Sequence, residues 1–465
     1  MIPLQLSEIA AVTGGTLQGA DVRVTSAVVT DSREASPGSL YVARLGEHAD
    51  GHQFVGSAAE AGAVAALVSH PVAELPCVVV PDVQEGFARL ARAVVDRAPQ
   101  LSVVGITGSS GKTSTKDLLA AVLADVGQTV APVGSYNSEV GVPLTVCRVT
   151  EDTRYLVAEM GADGVGHIAY LCRIAPPRIG VVLNVGSAHL GLFGSREAIA
   201  QTKGELVEAL PPGGLAVLNA DDPVVSAMAE RTRARVVRVG TAADADVRAS
   251  EVSLDPTGRP SFRLHTATGE RQVRLGLFGE HQVGNALAVA AVALELGVDL
   301  DHVVEVFANA RAASRWRMEV HERADGVTVV NDAYNANPES MRAALKALAA
   351  MGRGRRTWAV LGEMRELGEG STAEHDAIGR LAVRLNIERL VAVGDGARAI
   401  DQGAKQEGSW GQESTWVTDV DAAYDLLGRE LTAGDVVLLK SSRDSGLRHL
   451  GDRLVTGDAD AGSGR

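Results

Sequence analysis

The chain lacks any uninterrupted apolar run long enough to cross a bilayer, so no membrane insertion is expected. It also lacks a surplus of positive charge. Lys and Arg number 44 against 58 Asp and Glu, a formal net charge of −14. That balance argues against a nucleic-acid or membrane-surface binder, and any anionic ligand must be held by a local site. Aromatic residues are scarce, at 3%, so the cores must be built mostly from Val, Leu, Ala and Ile. The three cysteines (Cys77, Cys147 and Cys172) are odd in number and unpatterned, which suits reduced core thiols rather than a disulfide framework. The opening MIPLQLSEIA has no basic segment followed by a long apolar one, so no signal peptide is expected and a cytoplasmic location is. Repeats and low-complexity tracts are absent.

What is present is length and alternation. A chain of 465 residues with 46% hydrophobic content suffices for about three packed domains. The fold class read from the pattern is α/β. Residues 1–99 form a small α/β unit closed by Pro99. Residues 100–313 alternate strand and helix signals as a mostly parallel, helix-covered sheet, with hairpins around Asp255-Pro256-Thr257-Gly258 on its edge. Residues 314–456 hold five further strand–helix steps, which read as a Rossmann-like domain. Residues 457–465 are small and polar, and a disordered tail is expected there.

The organising stretch is LSVVGITGSSGKTSTKDLLAAVLADV, residues 101–126. A β-branched apolar run breaks into Thr107-Gly108-Ser109-Ser110-Gly111 and resumes as a helix. Glycines let successive N–H groups point inward, and the helix N-terminus adds partial positive charge, an arrangement that cradles nucleotide phosphates. Lys112 would reach the β/γ-phosphates and the Thr113 hydroxyl would hold Mg²⁺. One mark of the general phosphate loop is missing: Ile106 stands where a glycine is usual, six residues before the lysine.

In an open parallel sheet, ligands sit beyond the carboxyl ends of the strands. Glu159 in AEMG and His189 in NVGSAHLG come after the next two strands. A carboxylate and an imidazole near a phosphate site suit Mg²⁺; the plain alternative is a turn cap and a loop histidine. Lys203 lies four residues after Ile199 and four before Val207, on the apolar face of its helix. Burial there would favour the neutral, nucleophilic amine, whereas snorkelling from the rim of the stripe would not. Gly204 beside it implies that something approaches the helix closely. His281 and Asn285 share one face at a helix start, where an amide can pair with adenine or simply cap the helix. Asp332, Asn335 and Asn337 crowd the loop after another strand, as turn formers or as ligand contacts. Arg317, just upstream, is a natural phosphate or ribose partner. The clusters Asp31-Ser32-Arg33 and Asp50-Gly51-His52 read by themselves as turn chemistry and a surface ion pair.

Taken together, these motifs resemble the Mur ligases, the ATP-dependent amide-forming enzymes of peptidoglycan precursor synthesis. TGSSGKTST resembles the TGTNGKT loop of that family, which accounts for Ile106. EMG with Glu159, NVGSAHLGLFGS with His189, QTKGE with Lys203 and GEHQVGNALAVAA with Asn285 follow in the family's order. NDAYNANPESM and LGEMRELG resemble the branch that adds D-alanyl-D-alanine to a UDP-muramoyl-tripeptide, and the DNPR-like motif of the tripeptide-forming branch is absent.

The resemblance implies an N-terminal UDP-substrate domain, a central P-loop ATPase domain and a C-terminal Rossmann-like domain. ATP contacts fall to Gly108, Ser109, Ser110, Gly111, Lys112, Thr113, Ser114, Asn285, Arg317 and Asp332. Mg²⁺ ligands fall to Thr113, Glu159, His189 and a carbamylated Lys203, and these with Lys112 form the catalytic set. Contacts to the UDP-muramoyl-tripeptide and D-alanyl-D-alanine fall to Ser32, Arg33, Asp50, His52, Asn137, Asn335 and Asn337. Where the family shows N-x-N-N-E-I-G, this chain has Ser135-Tyr136-Asn137-Ser138-Glu139-Val140-Gly141. Asn137 is kept, and Ser135 and Ser138 can still donate and accept hydrogen bonds. A monomer is expected. The rivals are a folylpolyglutamate-synthase-like ligase, disfavoured by the N-terminal clusters, and an ATP-driven switch protein that forms no bond.

Overall fold

The structure is a computed structural model that describes residues 1–46, 49–186, 190–408 and 413–457. His189 and nearly all of the tail expected at 457–465 lie outside the described residues.

Parallel β-branched strands joined by helices dictate the architecture. In the central sheet, the strands Thr129–Val130, Tyr155–Glu159, Ser102–Thr107, Ile179–Val182, Leu215–Asn219, Arg235–Gly240 and Val247–Leu254 lie side by side and parallel. Pro260–Thr266 and Gly269–Arg274 then extend the edge as antiparallel hairpins. The short-strand rhythm of that segment expressed this arrangement. Ser102–Thr107 is flanked by strands that follow it on both sides, so the connections diverge from its carboxyl end and open a crevice there.

The third sheet is parallel in the order Thr328–Asn331, Val436–Lys440, Thr357–Leu361, Arg389–Val393, Ser414–Val417. Its last strand in sequence inserts beside the first, which makes a second switch point. Glu319–Glu322 adds an antiparallel edge strand that the sequence pattern did not reveal. Its Glu-Val-His-Glu run has one apolar residue, as charged edge strands commonly do. The N-terminal sheet runs Thr16–Gln18, Cys77–Val79, Ala65–Val68, Leu40–Val42, Val28–Val29, parallel after its first pair.

Packing ties the first two sheets together. One hydrophobic core runs without a break from Ile2, Leu6 and Phe87 to Val142, Leu171, Ile199 and Leu206. At about 1.5–3 kcal/mol for each fully buried aliphatic side chain, this shared core makes the N-terminal unit a poor candidate for independent removal. The opposite face of the central sheet is covered by Lys112–Ala124 and Gln282–Glu295. The second of these helices is buried on almost every side, and Gln282 and Asn285 are its buried polar exceptions. Cys147 and Cys172 are buried, and burial pushes both thiols up to about 12, so they stay protonated and unreactive.

Candidate active site

The two switch points face one another across a cleft of about 420 Å³. From the central sheet come the loop Ser109–Thr113, Asn137, Glu159 and Lys203. From the third come Arg317, Asp332, Asn335, Asn337 and Lys440.

The phosphate loop is held open by its neighbours. Ser109 N donates to the Asn184 carbonyl at 3.1 Å, and Ser110 N to Asn184 Oδ1 at 2.9 Å. Gly186 N donates to Ser109 Oγ at 2.9 Å. Gly111 has φ +83°, and a Cβ there would stand 2.6 Å from Asn285 Oδ1, so only glycine fits. Lys112 Nζ donates to the Gly108 carbonyl at 2.7 Å. Burial lowers its pKa, against which the Glu159 carboxylate pulls upward. Ser114 lines both the cleft and an adjoining groove.

Beside the loop, Thr113 Oγ1 donates to Glu159 Oε2 at 3.0 Å, and Asn137 Nδ2 donates to Glu159 Oε1 at 2.7 Å. Glu159 is therefore a buried carboxylate aimed at the phosphate loop, not a turn cap. Ser135 shares a hydrogen bond with Thr113 Oγ1 at 2.9 Å and accepts one from Arg317 Nη2 at 3.0 Å. It links the phosphate loop to the third domain. Ser138 Oγ accepts from the backbone N–H groups of Val140 and Gly141, both at 3.4 Å, at the start of the helix Gly141–Val146.

Lys203 is 6% exposed and lines the cleft. Among the described residues its ammonium donates no hydrogen bond. Burial, and then repulsion from Lys112, bring its pKa down to about 7. This is not a snorkelling lysine. The close approach implied by Gly204 is the Arg231 guanidinium, which overlies the glycine and donates to the Ala200 and Gln201 carbonyls.

Across the cleft, parallel pairing of Asn331 with Leu439 brings the next residues of each strand together. Lys440 Nζ accordingly meets Asp332 Oδ2 at 2.7 Å and the Asn335 carbonyl at 3.1 Å. Asp332 also accepts from Met318 N at 3.0 Å. Burial lowers the Lys440 pKa while Asp332 opposes it, and desolvation lowers the His281 pKa too. Asn337 does two jobs: it caps the helix Pro338–Met351 through Ser340 N at 2.8 Å, and its Nδ2 reaches the Ser109 carbonyl at 3.2 Å. Asn335 Oδ1 accepts from Ala336 N at 2.9 Å. Asn285 donates to Gln282 Oε1 at 2.9 Å, and no side-chain cap bond is made by His281.

The N-terminal candidates stand apart from this cleft. Asp31 accepts from Arg33 N at 2.9 Å and ion-pairs with the Arg33 side chain, which is 82% exposed. Those hydrogen bonds hold the Asp31 carboxyl below its usual range. Ser32 opens the short 3₁₀ turn between them. His52 Nδ1 meets Asp50 Oδ1 at 2.6 Å, and its Nε2 accepts from Ser69 N at 2.9 Å. The turn and ion-pair readings of these clusters are both present. His189 is outside the described residues.

Sequence reasoning gave Asn184, Tyr334 and Gln282 no role and marked Lys440 only as the end of a strand, although all line the cleft. Position at a strand's carboxyl end was the available signal for Asn184 and Lys440. The chemistry is that of an anion-binding loop with hard oxygen donors and a near-neutral amine, closed by a cationic arm from another domain.

Comparison with known proteins agrees with that inventory. Residues 24–106 match the model described as "Mur ligase family, catalytic domain", 106–293 match "Mur ligase middle domain", and 316–443 match "Mur ligase, glutamate ligase domain". A UDP-N-acetylmuramoyl-tripeptide--D-alanyl-D-alanine ligase from Mycobacterium tuberculosis is 51% identical over 98% of this chain and 99% of its own length. The Escherichia coli ligase of the same description is 39% identical over 86% and 88%. Among solved structures, MurF from Acinetobacter baumannii superposes with a TM-score of 0.88 at 32% identity, covering 97% of this chain and 99% of that one. MurF from Thermotoga maritima in complex with ADP gives 0.80 at 30% identity, over 92% and 97%.

Proposed function

The chain belongs to the Mur ligase family, and from that premise we infer that it is an ATP-dependent ligase joining D-alanyl-D-alanine to UDP-N-acetylmuramoyl-tripeptide in peptidoglycan precursor synthesis. One observation carries the reading: the phosphate loop, Glu159 and Lys203 line a single cleft with Arg317, Asp332 and Lys440 from the third domain. A carboxylate is a poor electrophile, so the tripeptide's terminal carboxylate first attacks the γ-phosphorus of ATP, giving an acyl phosphate and ADP. The free amine of the dipeptide then adds to the acyl carbon. The tetrahedral intermediate collapses with departure of phosphate, the amine's proton passes to solvent, and an amide remains.

Lys112 and the loop N–H groups stabilise charge on the transferring phosphoryl group. Arg317, reaching across from the third domain, adds a second cation at the same end of the cleft. Asn285 sits against Gly111, where it can meet the adenine edge. Thr113 and Glu159 are hard oxygen donors 3.0 Å apart, a set that fits Mg²⁺. The ion there would neutralise charge on the phosphate oxygens. The near-neutral amine of Lys203 fits carbamylation, in which nitrogen bonds to the carbon of CO₂ and releases one proton, leaving an anionic oxygen ligand; His189 completes that proposed set. Ser32, Arg33, Asp50 and His52 would hold the UDP end of the long substrate, with Asn137 nearer the reacting carboxylate.

No described helix is long and apolar enough to cross a membrane. Nucleotide-linked substrates support a cytoplasmic setting, and action as a monomer is part of this reading, with both walls of the cleft supplied by one chain. The test is phosphate release from ATP with UDP-N-acetylmuramoyl-tripeptide, with and without D-alanyl-D-alanine. Release should require both, and free D-glutamate or diaminopimelate should be poor acceptors. Equal rates with single amino acids, or hydrolysis indifferent to any amine, would overturn the reading.

A further inference from the structure

Arg317 reaches the phosphate end of the cleft from a turn, not from a helix or strand. Its Nη2 donates to Ser135 Oγ at 3.0 Å, and its guanidinium lies 4.3 Å from the centre of the Tyr334 ring. Its buried Nε has no hydrogen-bond partner among the described residues, so the side chain is aimed rather than saturated. The residues on either side, Trp316 and Met318, have φ of 59° and 52°. L side chains rarely adopt that region, and they stay there only when their surroundings impose it.

The surroundings of Met318 are the third domain's own core and the Asp332 carboxylate. Those of Trp316 are more unusual for a half-buried residue. Its N–H donates to Glu319 Oε2 at 2.9 Å, and its carbonyl accepts from Tyr334 N at 3.2 Å. The indole Nε1 donates to both oxygens of Asp452, at 3.0 and 3.1 Å, on the helix Leu447–Thr456. The guanidinium groups of Arg315 and Arg448 lie 4.8 and 5.2 Å from the ring, and Tyr334 stacks 6.5 Å away. Trp316 and Arg317 thus rest on the same tyrosine. Glu319, Asp452 and the backbone of Tyr334 fix three separate polar groups of Trp316, more than packing of a helix end requires.

We propose that Trp316 is a positioning residue for the nucleotide: its indole, docked on Asp452, holds its own left-handed backbone in the 316–318 turn and so aims Arg317 into the ATP cleft. The inference rests on the ATP-ligase reading and adds to it a residue that never touches substrate. If Trp316 only packed the C-terminal helix, its loss would lower stability without selecting between ligands.

The test titrates the full chain separately with ADP and with UDP-N-acetylmuramoyl-tripeptide. Trp316→Ala should weaken ADP binding about tenfold and raise the KM for ATP, leaving UDP-substrate affinity unchanged. Asp452→Asn, which keeps an acceptor for the indole N–H, should bind ADP as the wild type does. In an Arg317→Ala background, Trp316→Ala should have no further effect on ADP. Trp316→Phe, which keeps an aromatic ring and loses the donor, carries the same comparison should the alanine variant fold poorly. Wild-type ADP affinity in the Trp316 variants, equal losses for both ligands, or a persisting effect without Arg317 would overturn the proposal. A wild-type chain that bound no ADP would instead overturn the ligase reading beneath it.

Discussion

Replacing Lys203 by alanine is the sharpest perturbation of the proposed chemistry. At its ordinary value of about 10.5, only about one lysine amine in 3000 is neutral at pH 7. At about 7, half are neutral, so burial and Lys112 raise the reactive amine more than a thousandfold. That is the enrichment a carbamate would need to form from dissolved CO₂. The side chain lines the cleft and is 6% exposed, so its removal leaves a hole beside the phosphate loop. Phosphate release with both substrates should fall at least about a hundredfold in Lys203→Ala, the scale of losing one charge-stabilising group. Acetate or formate at high concentration can enter the hole and present oxygens in place of the carbamate's. Partial rescue by these carboxylates, and none by chloride at equal ionic strength, is the expected result. Full activity in Lys203→Ala, or rescue equally good with chloride, would refute the reasoning.

Other outcomes follow from the same geometry. Lys203→Met should be inactive yet more stable at pH 7 than wild type kept free of CO₂ and so uncarbamylated, by on the order of a few kcal/mol. The folded-state pKa lies below the unfolded one, so the penalty of burying the cation is complete below about pH 7. It fades as pH rises toward 10.5, and chemical denaturation at pH 7 and pH 10 should show the gap closing. Gly111→Ala should weaken ADP binding in a direct titration, because its Cβ would drive Asn285 away from the loop in an already strained φ. Lys112→Ala should lower kcat by about 100- to 1000-fold with the fold retained by circular dichroism. Arg33→Ala should raise the KM for the UDP substrate and leave that for ATP unchanged; its exposed ion pair, screened by solvent, contributes little to stability.

Much of the site was legible because its chemistry is written in local patterns. The strand–glycine–Lys-Thr–helix run between Val103 and Leu123 is such a pattern, and the strand Ser102–Thr107 and the helix Lys112–Ala124 form on either side of the glycine loop as it predicts. The spacing of Ile199, Lys203 and Val207 placed the lysine on a buried face before its surroundings were known. Strand ends pointed to Glu159, Asp332 and Asn337, since a parallel sheet gathers them at one edge. Ser135 was harder. As a replacement for a family asparagine it read only as a hydroxyl still able to donate and accept hydrogen bonds, and it proves to be the oxygen between Thr113 and Arg317. Neither partner is near it in sequence.

The sequence by itself determined the fold class, the order of the sheets and the identity of the groups able to handle a nucleotide. Periodicity and glycine placement are local properties, and local sterics enforce them. Only the tertiary structure decided which of those groups meet. Inserting the last strand beside Thr328–Asn331 makes the Lys440–Asp332 pair, and the left-handed turn at Trp316 and Met318 sends Arg317 across the cleft. It likewise decided that residues 1–99 share a core with the central sheet, so that their turn clusters stand away from the cleft. These are contacts between segments tens to hundreds of residues apart. Their geometry is set by sheet order and by packing between domains, which no local pattern encodes.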